Sequence, residues 1–472
     1  MRKVFKDCYE MDRRCYDEYG LTEDILMEHA AKGIKKYIET HLPEQRSILI
    51  VAGSGNNGAD GITLARQLQF NIRDVKLYLP FGVKSPMAQK QLNRTEKLNY
   101  VEMVDALCEA DIVVDALFGT GLNRPLDVAA QTLVDAMNDL NGVKIACDIP
   151  SGIDDKGAVD SVAFDADITI TMGARKESLY ADGVKDLVGE IIRVDLGIRY
   201  NQYTKGMPVA SYLLDRDDLA LPTREFALDT HKGTFGHAAV FCGEKPGAGI
   251  LSGMAATRFG AGLVTLVTRE TITPPPYLMT ASEVPYNATA LAIGMGMGHY
   301  FEAEFLRNSV VKGMTPIVID ADGLDQPTLL EVLDQKERTV VLTPHPREFI
   351  RLWRHCFDET LTTEYVQANR FELVRRFGEA YPHATLLLKG ANMLITNEGK
   401  VYINPLGTSR LAKGGSGDVL AGLIVSLLAQ GYSGVDAAIQ GSLALVAAAE
   451  IYDGSDYAMV ATDLVEAVGK LG

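Results

Sequence analysis

The chain has 472 residues, 47% of them hydrophobic and 23% charged, with a net charge of −16. That length exceeds one ordinary core, so at least two domains are expected. The balance of 62 acidic against 46 basic residues excludes general binding to nucleic acid or anionic membrane, and leaves room only for a local basic pocket around a small phosphate ligand.

The six cysteines, Cys8, Cys15, Cys108, Cys147, Cys242 and Cys356, are scattered and form no CxxC pair. They read as reduced thiols of a cytoplasmic protein, not as a disulfide framework or zinc site. The first twenty residues have no apolar core of the secretory kind, and no uncharged apolar run reaches bilayer-spanning length.

Along the first half, residues 47–52, 75–79, 111–116, 143–149, 168–171 and 191–194 form short apolar runs separated by helix-like stretches. That alternation predicts a parallel, doubly wound α/β sheet. Ligands in such sheets bind at the carboxyl ends of the strands, and polar loops stand at those ends here. GSGNNGADG (53–61) follows the first run and opens a helix over 62–69. Its glycines let backbone approach a ligand, and its asparagines and Asp60 offer polar contacts. Asp115 ends one strand and leads into LFGTG, and Asp148 ends another and leads into IPSGID. Any one of these loops also reads as a tight turn whose Asp or Asn satisfies local backbone. All three at neighbouring strand ends converge on one cleft. Their amides, hydroxyls and carboxylates are hard oxygen donors, suited to K⁺, Mg²⁺ or Ca²⁺ rather than Zn²⁺. His29, within LMEHA, reads as a helix histidine with no chemical role.

GSGNNGADG, DALFGTGL and CDIPSGID, preceded by Met11-Asp12, Tyr19-Gly20-Leu21 and Leu26-Met27-Glu28, resemble the NAD(P)H-hydrate epimerase family over residues 1 to about 200. The resemblance implies a Rossmann-like three-layer sandwich that binds a hydrated nicotinamide cofactor. It implies substrate contacts at Asn56, Asn57, Gly58, Ala59, Asp60, Gly119, Thr120, Gly121, Leu122, Asn123, Arg124, Pro125 and Asp148. It implies K⁺ ligands at Asn57, Asp115 and Ser151, and Asp148 as the acid/base. Ala59 stands where the family usually has glycine, which is tolerable unless φ there is positive.

Residues 197–225 carry no clear period, and the domain boundary is expected near 205–212, giving domains 1–205 and 215–472. A second alternating series follows at 238–242, 263–267, 290–293, 316–319, 339–342 and 385–388. HKGTFGH (231–237) precedes its first strand. GMGMG (294–298), DADGL (320–324), TPHPRE (343–348) and KGANM (389–393) follow later ones. A nucleotide site in an open α/β sheet requires such a set. Alone, His345 between two prolines reads as well as a turn residue, and Lys389-Gly390 is a weak signal. LAKGGSGD (411–418) then meets a helix over 419–428. This loop aims backbone N–H groups and a helix N-terminus at one point, which suits a phosphate or a developing anion. Asp418 beside it can take a proton from a hydroxyl, and phosphoryl transfer needs both parts.

Together these motifs resemble the ADP- or ATP-dependent NAD(P)H-hydrate dehydratase family, of ribokinase-like fold, over about residues 225–472. The resemblance implies hydrate contacts at Ala248, Gly296, His345 and Asp418. It implies nucleotide contacts at Lys389, Gly390, Ala391, Asn392, Met393, Ser416 and Gly417, with Mg²⁺ accompanying ADP or ATP. Met295 and Met297 replace the Pro and Leu often found there, Tyr277 follows Pro276 where an acid is usual, and residues 404–410 lack the usual glycine-rich lead. The fusion is the arrangement of a bifunctional repair enzyme: one site exchanges the hydrate epimers, the other dehydrates the S form. A vitamin or sugar kinase shares the loop and the fold, and its companion domain would then be a non-catalytic binding or interaction module. A plain kinase has no need of GSGNNGADG with CDIPSGID. Homo-oligomerisation and the preferences for NADH or NADPH hydrate and for ADP or ATP stay open.

Overall fold

The computed structural model describes residues 1–68, 74–122, 124–224 and 228–472. Two compact units divide the chain: Lys3–Ser211, and Tyr212–Gly472 together with Met1–Arg2.

In the first unit seven strands lie in the order Glu102–Val104, Asp74–Tyr78, Ser47–Ala52, Ile112–Ala116, Val143–Cys147, Ile168–Met172 and Glu190–Val194. Every neighbouring pair is parallel. The order reverses between Ser47–Ala52 and Ile112–Ala116, in register from Ile48 against Ile112 to Ala52 against Ala116. A crevice opens at such a switch point. The strands are apolar throughout because both faces are covered. Period-two alternation sorts the side chains. Ile48, Ile50, Ala52, Ile112 and Val114 pack with the helices Glu23–His41 and Asn56–Leu68. Leu49, Val51 and Val113 pack with Ala130, Val134 and Met137 of the helix Val128–Asn138. This is the expected three-layer sandwich.

In the second unit the order is Met279–Ala281, Leu263–Val267, His237–Phe241, Ala290–Ile293, Ile317–Ile319, Val340–Leu342 and Ala384–Leu388. These pairs are all parallel, and the order reverses between His237–Phe241 and Ala290–Ile293. Met393–Asn397 and Lys400–Asn404 then add antiparallel pairs, joined by Glu398 and Gly399. Both turn residues have positive φ, the geometry of a two-residue hairpin. Met393, expected in a loop, is the first residue of the hairpin's first strand. The helix Ser416–Ala429 is buried from Val419 onward, as a core helix between the sheet and the helices Pro246–Arg258 and Gly434–Glu450. Among the described residues, no helix is long and apolar enough to cross a membrane.

Candidate active sites

A cleft of about 660 Å³ opens at the switch point of the first unit. Asn56, Asn57, Asp60, Gly119, Thr120, Gly121, Leu122, Arg124 and Asp148 line it, so most of the expected substrate residues are brought together. Gly58 and Ala59 turn inward from the same helical turn. A Cβ on Gly58 would lie 1.8 Å from the Gly53 carbonyl, and Ala59 is fully buried. Ala59 is helical, so the alanine meets no conformational obstacle. Pro125 is exposed, and Asn123 lies outside the described residues.

Asp148 adopts φ +74°, a left-handed conformation that is costly for a non-glycine residue and is held here by its bonds. Its Oδ1 accepts from Lys176 Nζ at 2.5 Å, from Thr171 Oγ1 at 3.1 Å and from the Met172 amide at 3.1 Å. Burial disfavours the Lys176 charge, but Asp148, Cys8 and Asp12 outweigh it and hold the ammonium above its ordinary range. Nearby, Tyr203 Oη donates to Asp12 at 2.7 Å, and burial pushes the Asp12 carboxyl up. Asp60 is driven up further, by burial and then by the charges of Asp148, Asp12 and Glu23. A lysine–aspartate ion pair thus faces carboxyls biased toward protonation, an arrangement that can both take and give a proton. Sequence reasoning missed Lys176 and Tyr203 and gave Asp12 no role. The only signal was Met11-Asp12 within the family resemblance.

The three expected cation ligands meet around residues 117–119. Asp115 Oδ1 accepts from Ser151 Oγ at 2.7 Å and from the Leu117 amide at 3.1 Å, and its Oδ2 accepts from the Ser151 amide at 2.7 Å. Ser151 Oγ accepts from the Phe118 amide at 2.9 Å. A Cβ on Gly119 would lie 3.2 Å from Asn57 Oδ1, and the Asn57 amide nitrogen is buried with no hydrogen-bond partner among the described residues. Burial pushes the Asp115 carboxyl up to about 6, against the Ser151 and Leu117 bonds.

In the second unit Gly415 caps the helix Ser416–Ala429 at φ +96°, where a Cβ would also lie 2.6 Å from Ala461 Cβ. The Asp418 carbonyl accepts from Ser252 Oγ at 2.7 Å. Ala248 lies four residues before Ser252 on the same helix face. A Cβ on Gly296 would lie 3.0 Å from Ala248 Cβ, so these two expected hydrate contacts adjoin. Gly294, Gly296 and Gly298 all take positive φ, while Met295 and Met297 point into the core. The departure at the methionines is therefore a matter of packing, and the glycine backbone is kept.

Lys389 Nζ lies 2.5 Å from Asp320 Oδ1, which also accepts from Thr343 Oγ1 at 2.9 Å. A Cβ on Gly417 would lie 3.2 Å from Lys389 Nζ, which places the lysine directly against the loop. His345 is the N-cap of the helix Pro346–Phe357. Its Nδ1 accepts from the Arg347 and Glu348 amides at 3.1 and 3.3 Å, and its Nε2 lies 3.1 Å from Glu348 Oε1. Burial, then the Asp320 charge, pushes the Asp418 carboxyl up to about 6, with Lys389 opposing and Glu348 adding. Burial likewise raises Glu348. Ser416 Oγ donates to the Lys413 carbonyl at 3.0 Å. Gly390 and Ala391 are exposed, Asn392 is buried, and Met393 belongs to the core. Asp320 and Glu348 carry much of this electrostatics, and nothing in the DADGL and TPHPRE motifs sets them apart by sequence alone.

Two α/β units, each with its own carboxyl poised beside a glycine loop, define a two-site enzyme. A family model described as NAD(P)H-hydrate dehydratase matches residues 238–470, and one described as YjeF-related protein N-terminus matches residues 23–178. The bifunctional NAD(P)H-hydrate repair enzyme Nnr of Helicobacter pylori is 38% identical, over 100% of both chains. That of Coxiella burnetii is 35% identical, over 95% of this chain and 94% of its own. Among solved structures, the Bacillus subtilis ADP/ATP-dependent NAD(P)H-hydrate dehydratase co-crystallised with ATP/Mg²⁺ is 27% identical, covering 54% of this chain and 94% of its own at a TM-score of 0.47. The chain belongs to the family of bifunctional NAD(P)H-hydrate repair enzymes. A kinase with a non-catalytic companion domain is not favoured.

Proposed function

We infer that the chain is an isomerase and a lyase: it exchanges the R and S forms of hydrated NADH and NADPH in the first unit and dehydrates the S form in the second, using ADP or ATP. The observation that carries this reading is the presence of two separate carboxyl-bearing sites in a chain that aligns end to end with repair enzymes.

In the first site Asp148 exchanges a proton with the hydrate, and the 119–125 loop with Asn56 to Asp60 holds the substrate. Asn57, Asp115 and Ser151 suit K⁺. Asp115 is a buried carboxylate whose burial raises it, with no basic partner among the described residues, and Asn57 Oδ1 and Ser151 Oγ are further hard oxygen donors. The bound ion would supply charge balance there. In the second site Asp418 removes the proton of the hydrate hydroxyl as that oxygen attacks the terminal phosphorus, and the nucleotide leaves with one phosphate fewer. The C–O bond then breaks, releasing phosphate as the ring nitrogen lone pair forms an iminium. Loss of a proton from the adjacent carbon restores the dihydronicotinamide. Lys389 and the amides of Ser416 and Gly417 hold the phosphates. Mg²⁺ would enter with the nucleotide and neutralise phosphate charge, since among the described residues no cluster of three or more His, Cys, Asp or Glu side chains is placed to hold a metal by itself. A cytosolic location without nucleic-acid or membrane partners completes the proposal.

The test is to incubate the pure protein with both epimers, with and without nucleotide, and follow dihydronicotinamide absorbance and epimer composition. Exchange alone is expected without nucleotide, and full recovery of both epimers with it. A stable phosphorylated product without recovery would establish the kinase instead.

A further inference from the structure

Lys176 is fully buried, and its three N–H donors are all engaged: by Asp148 Oδ1 at 2.5 Å, by Thr171 Oγ1 at 3.1 Å and by the Met172 carbonyl at 3.2 Å. An ammonium with its donors spent has none left for a substrate. Its neighbours converge as well. Thr171 and the Met172 amide donate to the same Oδ1, so one oxygen of Asp148 takes three bonds while Oδ2 takes none of them. Asp148 lines the cleft.

We propose that Lys176 is a positioning residue for epimer exchange, clamping Asp148 by one oxygen so that the other is presented to the hydrate as the proton acceptor. This rests on Asp148 being the acid/base of the first site. The clamp is needed because the groups that interact with the pair, Cys8, Asp12, Glu23, Asp60, Cys147 and Tyr203, include no cation, and the two arginines that line the cleft, Arg13 and Arg124, are exposed. Without Lys176 the carboxylates would crowd one another, and the left-handed backbone at Asp148 would lose its strongest tether.

The experiment compares Lys176→Met, Lys176→Arg, Asp148→Asn and the double variant Asp148→Asn/Lys176→Met in the full chain. Exchange of hydrate epimers is followed across pH without nucleotide. Lys176→Met should lower kcat by about 10–100-fold, the scale on which losing an orienting partner acts. Its KM should stay within about threefold, because the residue does not touch substrate. Lys176→Arg, which keeps the charge, should recover most of the rate. The double variant should be no slower than Asp148→Asn alone, because Lys176 acts only through Asp148. Multiplied losses in the double variant, or equal losses with Arg and Met, would overturn the proposal. If Lys176→Met does not unfold cooperatively, Lys176→Arg decides by itself: a lowered kcat at unchanged KM, lost again when combined with Asp148→Asn, supports the clamp, and a raised KM or a loss that multiplies with that of Asp148→Asn overturns it. Unchanged exchange in Asp148→Asn would remove the acid/base reading itself, and the clamp with it.

Discussion

In the first unit Lys176 lies 2.5 Å from Asp148, and in the second Lys389 lies 2.5 Å from Asp320. The pairs are chemically identical and inverted in burial. Lys176 is 2% exposed and its aspartate 13%, whereas Lys389 is 19% exposed and its aspartate 3%. The end that faces the site decides what the pair can do. A carboxylate at the surface of a cleft handles protons. An ammonium beside a glycine loop receives phosphate. On the proposed reaction the second unit needs a third residue for proton transfer, and we assign it to Asp418, whose carboxyl is pushed up to about 6.

The sharpest way to break this comparison is a crossed pair of variants. Asp418→Asn should lower nucleotide-dependent dehydration by about 10²–10⁴-fold, the usual worth of a general base, and leave exchange alone. Asp148→Asn should do the reverse. The check is both rates on each purified variant. Loss of both rates in either one would mean a shared site or a misfolded chain.

A second variant tests the inverted pair. Asp418 must be ionised to act as base, so wild-type dehydration should fall as pH drops through about 6. After burial, the Asp320 charge is the main cause of that high value. Asp320→Asn should therefore shift the acid limb downward, by about one unit. Lys389→Met should shift it upward and weaken nucleotide binding. A limb that stays put in Asp320→Asn would show that burial alone sets it.

Much of this was legible in the sequence. Glycine loops at strand ends announce a switch-point site, because the backbone there must pass close to a ligand. Short runs that are apolar on both faces announce a covered parallel sheet. What escaped was set by tertiary contact. Lys176 sits 28 positions from Asp148, on a two-residue strand with no motif of its own. Asp12 is paired by Tyr203 across 191 positions. The hairpin after Lys389 was hidden because its turn, Glu398-Gly399, lacks an Asn-Gly or Asp-Gly signature.

The cation site offers a smaller effect. Asp115 is fully buried, and its folded carboxyl is raised above the ordinary value. By linkage, its own contribution to stability is greatest at low pH and is lost as pH rises through about 6. A cation that pairs with the ionised form should offset that loss. Exchanging a bulky organic cation for K⁺ should stabilise the first unit by about 1–3 kcal/mol at neutral pH, the range expected for a ligand well above its Kd. The gain should shrink below pH 6. Thermal unfolding in the two salts measures it, and Ser151→Ala should reduce it. A K⁺ effect that is equal at low and neutral pH would place the ion elsewhere.

The smallest expected effect belongs to cutting the chain between Ser211 and Tyr212. The core clusters around Ile48 and around Leu49 draw only on residues of Lys3–Ser211, and the cluster around Val240 only on residues from Leu214 onward. The cut also leaves Tyr212 against Tyr402 and Leu213 against Ile403, so the second fragment keeps this edge pairing. Each site is built from residues of its own fragment. Residues 3–211 should therefore exchange epimers, and residues 212–472 should dehydrate the S epimer, each at a rate close to that of the whole chain. Recovery of absorbance from the R epimer should need both fragments in one tube, because only the first makes the S form available. Recovery from R by the second fragment alone would end the division of labour on which the comparison of the two lysine–aspartate pairs depends.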